Sequence, residues 1–431
     1  YNGVLTDSLY VDGFYSKRKF TFENSGSIYT DLIKGTPIKD QNLGVVYNSP
    51  TFCGVCSPET RDNDDIVLKA TYFLSTKSLG SHNIVLGYDD FGGQRKSNNY
   101  QSGSNFTLYT VSPSIVRGQD IYPVIDSGSY VVYWPILQLS QGNDLRTRSV
   151  FLNDTWRLND RFSFNLGVRY DKNDATDQGG NKTSDDSAFS PRLAATWDVK
   201  GDGKLRVAAS YAKYVGALQD TQAGSGATMA GSPAIYYWYY EGPTINGNPA
   251  GTLTSPNAAV DQFFKWFQSR GCMPDPTAAS CTVLLGGPPS ISGVNIQIKD
   301  ILKSSYTNEY VLGLSGTIGQ KGSFRADFVR REYGNFYDLL KDTTTGKVAS
   351  PVNAAQKYDL GLIVNSNDYT REYTGLHTQF QYRFGNRINV GGNWTWSHLI
   401  GDLVGETSGG GPGTGGSHNY PEYFDRAWSN P

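Results

Sequence analysis

The stretch Val150-Phe151-Leu152-Asn153-Asp154-Thr155-Trp156-Arg157-Leu158-Asn159-Asp160-Arg161-Phe162-Ser163-Phe164-Asn165-Leu166-Gly167-Val168-Arg169-Tyr170-Asp171 holds a turn and the strands on either side of it. After Asn159-Asp160, the residues Phe162, Phe164, Leu166, Val168 and Tyr170 point one way, and Ser163, Asn165, Gly167 and Arg169 point the other. A period of two puts the two sets on opposite faces of a strand. An apolar face backed by a polar one, with an aromatic at each strand end, is the pattern of a strand in a transmembrane β-barrel. One such hairpin would serve equally on a soluble sheet with one wet face. Recurrence therefore matters more than the hairpin itself.

It recurs. Leu193, Ala195, Trp197 and Val199 alternate with polar or small residues, and after Lys200-Gly201-Asp202-Gly203 so do Leu205, Val207, Ala209 and Tyr211. Tyr310, Leu312, Leu314 and Ile318 repeat the pattern, turn at Gly319-Gln320-Lys321-Gly322, and return through Phe324, Ala326 and Phe328. Leu376, Phe380, Tyr382 and Phe384 form another strand, as do Ile388, Val390, Trp394 and Trp396 beyond Gly385-Asn386. Near the start, Ile66, Leu68, Ala70, Tyr72 and Leu74 pair in pattern with Ile84, Leu86 and Tyr88 across Gly80-Ser81. Short Gly- and Asn-rich links of this kind are hairpin turns.

The links alternate between two classes. Tight turns lie near 77–81, 159–160, 200–203, 319–322 and 385–387, and long polar segments near 15–64, 172–187, 215–304, 335–370 and from 400 to 431. Outer-membrane barrels have short periplasmic turns and long external loops, so strict alternation predicts that asymmetry. Between 92 and 145 the pattern is read as a descending strand near 101–112 and an ascending one near 118–138. The total is roughly thirteen strands, each about long enough to cross a bilayer at a tilt. The expected fold is an all-β, antiparallel transmembrane β-barrel, present in part. A soluble sandwich or propeller is the competing architecture, and propeller strands are shorter with more uniform loops.

Composition agrees with sheet and turn. Hydrophobic residues make up 38% of the 431, aromatics 13%, and 29 tyrosines and 49 glycines stand beside two methionines. Mean hydropathy is −0.45 and no run approaches the ~18 apolar residues of a membrane helix, which excludes a helical membrane protein but not a barrel with a polar lumen. A net charge of −2 gives no reason to invoke nucleic acid. The chain starts at Tyr1 without a signal peptide and stops in Trp428-Ser429-Asn430-Pro431. Together with an odd strand count, these ends are expected of a fragment.

Four cysteines fall in two of the long segments, Cys53 with Cys56 and Cys272 with Cys281. In an oxidising compartment the simplest reading is two local disulfides. A zinc site is the alternative, for which Cys53-x-x-Cys56 has suitable spacing but the second pair does not. His82, His377, His398 and His418 are scattered, and no nucleophile, acid–base or phosphate-loop motif is present, so no enzyme, cofactor or metal is expected. The acidic run Asp62-Asn63-Asp64-Asp65 lacks the ligand ladder of a calcium loop and reads as a solvated strand entry.

The segment 215–304 is the richest. Tyr236, Tyr237, Trp238, Tyr239 and Tyr240 are consecutive, and Ser255-Pro256 opens a predicted helix with Val260, Phe263, Phe264 and Phe267 on roughly one face. A loop of this length is seldom passive. Its aromatics either form a mini-core or touch a ligand directly, and both readings stay open. Gly409–Gly416 reads as a flexible stretch with no chemistry.

The run from Asn153 to Arg161, continuing through Gly167-Val168-Arg169-Tyr170-Asp171, resembles the barrel signature of TonB-dependent outer-membrane receptors. Ser190-Pro191-Arg192-Leu193, Thr307-Asn308-Glu309-Tyr310 and Asn393-Trp394-Thr395-Trp396-Ser397 are similar to later hairpins of that family. The stretch from Tyr236 to Asn246 and Phe52-Cys53-Gly54-Val55-Cys56 resemble its Oar-like branch. The resemblance covers essentially the whole chain and implies a barrel of about 22 strands around a plug, lodged in the bacterial outer membrane. It also implies two partners besides outer-membrane lipid. One is an extracellular solute (siderophore, saccharide or peptide), and the other is the TonB complex, acting through a plug. No TonB box, plug, carboxypeptidase-regulatory-like domain or terminal aromatic strand is matched in these residues, so the energy-coupling residues are expected outside them. Asp154 breaks the alternation, sharing parity with Leu152 and Trp156, and is expected to mark a bulge or lie near the headgroups. Energised solute uptake is the expected function. A surface adhesion or export-associated barrel without energised uptake is the alternative, a passive porin comes third, and an external-loop hydrolase last.

Overall fold

The computed structural model describes residues 1–216, 227–349, 354–355, 357–368 and 370–401. The chain opens with the hairpin β1 (Asn2–Thr6) and β2 (Leu9–Arg18). An excursion follows with three short strands, β3 (Thr21–Phe22), β4 (Ile38–Asp40) and β5 (Val45–Tyr47). The long pair β6 (Glu59–Thr76) and β7 (Gly80–Lys96) leads to a second excursion with β8 (Phe106–Thr110), β9 (Ile115–Arg117), β10 (Asp120–Tyr122) and β11 (Tyr130–Tyr133). Four long strands come next, β12 (Asn143–Arg157), β13 (Phe162–Thr176), β14 (Lys182–Asp198) and β15 (Leu205–Val215). The third excursion carries β16 (Tyr236–Tyr239), helix α1 (Pro256–Ser269) and β17 (Ile296–Ile298). After β18 (Tyr306–Ile318) and β19 (Gly322–Gly334), a fourth forms the hairpin β20 (Phe336–Ala349) and β21 (Lys357–Ser366), before β22 (Arg371–Phe384) and β23 (Ile388–Gly401).

The long strands form one antiparallel sheet in chain order, thirteen-stranded when β3 is counted, with β1 and β23 at its edges. The expected count of about thirteen is met only when the two-residue β3 is included, and the membership differs. β7 pairs directly with β12, from Ser81↔Arg157 to Arg95↔Asn143, so the expected strands at 101–112 and 118–138 are not in this sheet. Their apolar alternation serves a second, five-stranded sheet instead, ordered β16-β11-β8-β4-β5. Period two identifies a strand and does not say which sheet it joins. The segment 172–187 is mostly strand as well, because β13 runs to Thr176 and β14 starts at Lys182. These extensions are polar because they rise beyond the apolar belt. Of the expected loop 400–431, Ile400 and Gly401 end β23, and the remainder, including Gly409–Gly416 and His418, lies outside the described residues.

The outer face carries the belt. Tyr88, Tyr170 and Phe189 mark its edge toward the excursions, and Phe162, Trp156 and Trp197 mark the edge toward the tight turns. Tyr170 and Phe189 stand 4.9 Å apart across β13 and β14, and Phe162 stacks with Trp197 at 6.5 Å. Cross-strand aromatic pairs of this kind stabilise a sheet by roughly 0.2–1 kcal/mol each. Asp154 is not a bulge, since the register through it is continuous with both neighbouring strands. Its Oδ2 lies 2.7 Å from Nδ1 of His82, whose ring stacks 5.2 Å from Trp156, beside the belt's lower aromatic edge. The tight turn above His82 depends on Gly80 (φ +74°), where a Cβ would come within 2.1 Å of the Arg157 carbonyl oxygen.

The opposite face is covered at the excursion end. Ser149 and Ser190 are 1% and 2% exposed there, whereas the outward neighbours Val150 and Phe189 are 49% and 64% exposed. At Ser149 the Arg169 guanidinium, 2.7 Å away, is part of the cover, and farther along β13 and β14 the third excursion supplies it. Asn173 donates through Nδ2 to Ser304 Oγ at 2.8 Å, and Ser184 donates to the Leu302 carbonyl at 2.8 Å. The apolar core lies in this layer, not in the long sheet, and it centres on Ile38, Leu108, Val131, Trp238, Phe263 and Phe267.

Candidate functional site

Residues Tyr236–Tyr240 occupy β16 and its end, and the strand period divides them. Tyr236, Trp238 and Tyr240 are at most 2% exposed and face α1. Trp238 meets Phe267 at 5.6 Å, and Tyr240 meets Phe263 at 5.4 Å and Trp266 at 4.6 Å. The helix is where the sequence predicts it, with Val260, Phe263, Phe264 and Phe267 buried and Pro256 in its first turn. These three ring residues of β16 are packing residues of a mini-core.

Tyr237 and Tyr239 face the other way. Tyr239 lies opposite Tyr130, Tyr130 opposite Tyr109, and Tyr109 opposite Lys39, so one row crosses four strands. Tyr109 and Tyr130 stack at 4.8 Å with planes 4° apart, and Tyr130 and Tyr239 meet at 5.9 Å. Lys39 Nζ stands 5.5 Å from the Tyr109 ring centre, and Gln41 donates to the Tyr130 hydroxyl at 2.6 Å. Partial burial raises the Tyr109 and Tyr130 phenols above their ordinary range, with neighbouring tyrosines adding to the shift. Tyr109 and Tyr130 therefore present neutral hydroxyls, and the ring faces of the row stand beside one ammonium, which suits polar ligands with apolar patches.

Cys53–Cys56 and Cys272–Cys281 are both disulfide-bonded, each within its own excursion. The second pins the segment after α1 to the core, where Cys272 is fully buried. Among the described residues no cluster of His, Cys, Asp and Glu could hold a metal ion.

Sequence reasoning missed a cavity of about 460 Å³ beside the first disulfide. Phe22, Phe52 and Tyr100 line it with Glu59, Arg61 and Arg95. These residues come from β3, the first excursion, the tops of β6 and β7 and the start of the second excursion, and no local spacing links them. Only the pairing of Arg61 with Arg95 across β6 and β7 would have brought the two guanidiniums together on paper.

The family described as TonB dependent receptor-like, beta-barrel matches residues 2–271. The chain belongs to that family. An outer membrane beta barrel domain also matches, over residues 172–430, so this TonB-dependent receptor-type barrel is an outer-membrane protein. The TonB-dependent transporter Oar of Myxococcus xanthus is 28% identical over 175 residues, which is 37% of this chain and 16% of that protein. Among solved structures, the outer membrane transporter YddB of Escherichia coli superposes with a TM-score of 0.50 at 14% identity, over 97% of this chain and 43% of that one. A mutant of the ferric enterobactin receptor PfeA of Pseudomonas aeruginosa gives 0.50 at 13% identity, over 92% and 42%. At such identities the structural likeness is one of fold. The chain spans less than half the length of each of these relatives.

Proposed function

We propose that this chain is the barrel portion of a receptor that captures a solute with its external loops and imports it with energy delivered by TonB to a plug. The observation that carries the reading is the layer folded across the inner face at the excursion end, where Ser304 and Leu302 close over the buried Asn173 and Ser184. A porin keeps an aqueous path open, whereas a covered mouth suits a receptor that admits one ligand at a time. In this reading the segments 15–64, 215–304, 335–370 and 400–431 are extracellular. Tyr237 and Tyr239, with Tyr130 and Tyr109, form the surface that a solute meets, while Tyr236, Trp238 and Tyr240 hold that surface flat. The disulfides suit the same side of the membrane, where thiols oxidise.

The experiment is solute depletion by cells carrying the full-length receptor, followed by mass spectrometry of a complex medium. Capture and energised import predict that one class of solute disappears, and that loss of TonB or collapse of the proton gradient stops it. Depletion that persists without TonB would exclude the proposal in favour of a porin, and no depletion with intact surface binding of macromolecules would favour an adhesion barrel.

A further inference from the structure

The open face of the five-stranded sheet carries a single charged side chain. Lys39 lies opposite Val46 on one side and Tyr109 on the other, and the row continues through Tyr130 to Tyr239. Thr107, Val132 and Tyr237 form the next row of the same face. Thr107 and Val132 are buried, whereas Lys39 and Val46 are exposed and Tyr239 is 46% exposed. The accessible part of the face is therefore a strip along the first row. Asp40 points the other way, because neighbours along a strand face opposite sides. Its carboxylate accepts from the Ser114 hydroxyl and from the N–H groups of Asn42 and Leu43. Glu241, two residues past Tyr239, lies at the end of the row remote from Lys39 and stands 4.0 Å from Arg270.

The rings of the strip are held in place. Tyr130 stacks on Tyr109, and its hydroxyl accepts from Gln41, which leaves the phenolic proton free to donate. The Tyr237 ring lies against the backbone of Gly286 and Gly287, where a Cβ would come within 2.1 Å of the ring and 2.4 Å of its hydroxyl. That hydroxyl donates to the Gly286 carbonyl at 2.6 Å. Tyr237 then meets Tyr239 edge-on at 5.9 Å and Tyr130 at 6.3 Å. From Lys39 to Tyr239 the row makes three interstrand steps, or about 14 Å.

This shape and chemistry select among ligands. A peptide that joins a sheet needs a free edge, and the main-chain groups of β8 and β11 are already paired on both sides. A compact solute needs a pit, whereas the strip runs in a line across four strands. A linear polyol fits it, since sugar hydroxyls exchange hydrogen bonds with phenols and the C–H faces of sugar rings lie on aromatic rings. We propose that the strip binds a linear oligosaccharide that carries a carboxylate, with its sugar rings along Tyr239, Tyr130 and Tyr109 and its carboxylate on Lys39. The proposal rests on reading the loop layer as a capture surface, but the binding itself requires no energised import.

The test is titration calorimetry on the full-length receptor in detergent, with tetramers of galacturonate, alginate and glucuronoxylan and the methyl ester of each as probes. At least one uronate tetramer is expected to bind saturably, and about fivefold or more tightly than its ester. Lys39→Gln should bring that tetramer down to its ester and leave the ester unchanged, a split that misfolding cannot produce. Tyr239→Ala should weaken acid and ester alike, by about tenfold or less. The assignment is overturned if no tetramer binds, if acid and ester bind equally, if the uronate monomer binds as tightly as the tetramer, or if Lys39→Gln weakens acid and ester by the same factor. Tetramer binding without TonB-dependent uptake in cells would keep this assignment and remove the import reading. TonB-dependent uptake of a solute that no tetramer displaces would do the reverse.

Discussion

Trp238 and Tyr239 are adjacent in sequence and opposite in environment, one within 5.6 Å of Phe267 and the other on the open tyrosine row. Trp238→Ala should cost about 3–5 kcal/mol of loop-layer stability, whereas Tyr239→Ala should cost about 1 kcal/mol or less. Hydrogen exchange of β11 and β16 amides would separate the two, and equal protection in both variants would contradict the packing described. Tyr47 gives a pH signature to the same layer. Burial, with the Asp40 carboxylate adding, raises its phenol from the ordinary 10.0 to about 12, against the opposing hydrogen bond with Ser114. The neutral form is therefore favoured in the folded layer. Its stabilising contribution is complete below pH 10 and is lost as pH rises through 12, which an ultraviolet phenolate titration compared with Tyr47→Phe would detect. The five aromatics were legible in the sequence as a cluster but not as a strand, so their alternation between two faces was not. Which face held the core was not legible either, because Phe106, Leu108 and Val131 lie more than a hundred residues away from it.

At the scale of elements, α1 was the most legible part of the third excursion. Ser255-Pro256 starts it, the spacing of Val260, Phe263, Phe264 and Phe267 sets its buried face, and Gly271 (φ 74°) follows its end. The short strands β8 and β11 were legible as strands but assigned to the wrong sheet, since their apolar alternation suits any half-buried pairing. The disulfide Cys272–Cys281 closes a small loop directly after the helix. Replacing both cysteines by serine should weaken the α1 end by about 2–3 kcal/mol while leaving the long strands intact. Limited proteolysis should then cut between 272 and 283, and a cleavage pattern identical to the parent protein would show that the bond is dispensable.

Across the whole molecule, the facing of the long sheet is the claim most exposed to test. Leu152 sits in the apolar belt and Thr155, three residues on, points inward. Leu152→Arg should cost about 2–4 kcal/mol and reduce the folded, heat-modifiable fraction, whereas Thr155→Arg should leave it nearly unchanged. Loss in Thr155→Arg alone would mean that the faces are reversed. This facing was the most legible feature of the chain, because lipid on one side and water on the other impose the same period of two on every strand that crosses. The cavity at Arg61 and Arg95 was the least legible, because it is assembled from the ends of elements that no common period links.

The five-stranded sheet of the loop layer draws β4 and β5 from the first excursion, β8 and β11 from the second and β16 from the third. Mechanically these three insertions are one plate, hydrogen-bonded edge to edge and backed by a single helix. If solute is admitted through this end, as proposed, the pairing predicts that the plate moves as one body and that no loop opens alone. Lengthening or shortening one excursion alone would jam or unseat the other two.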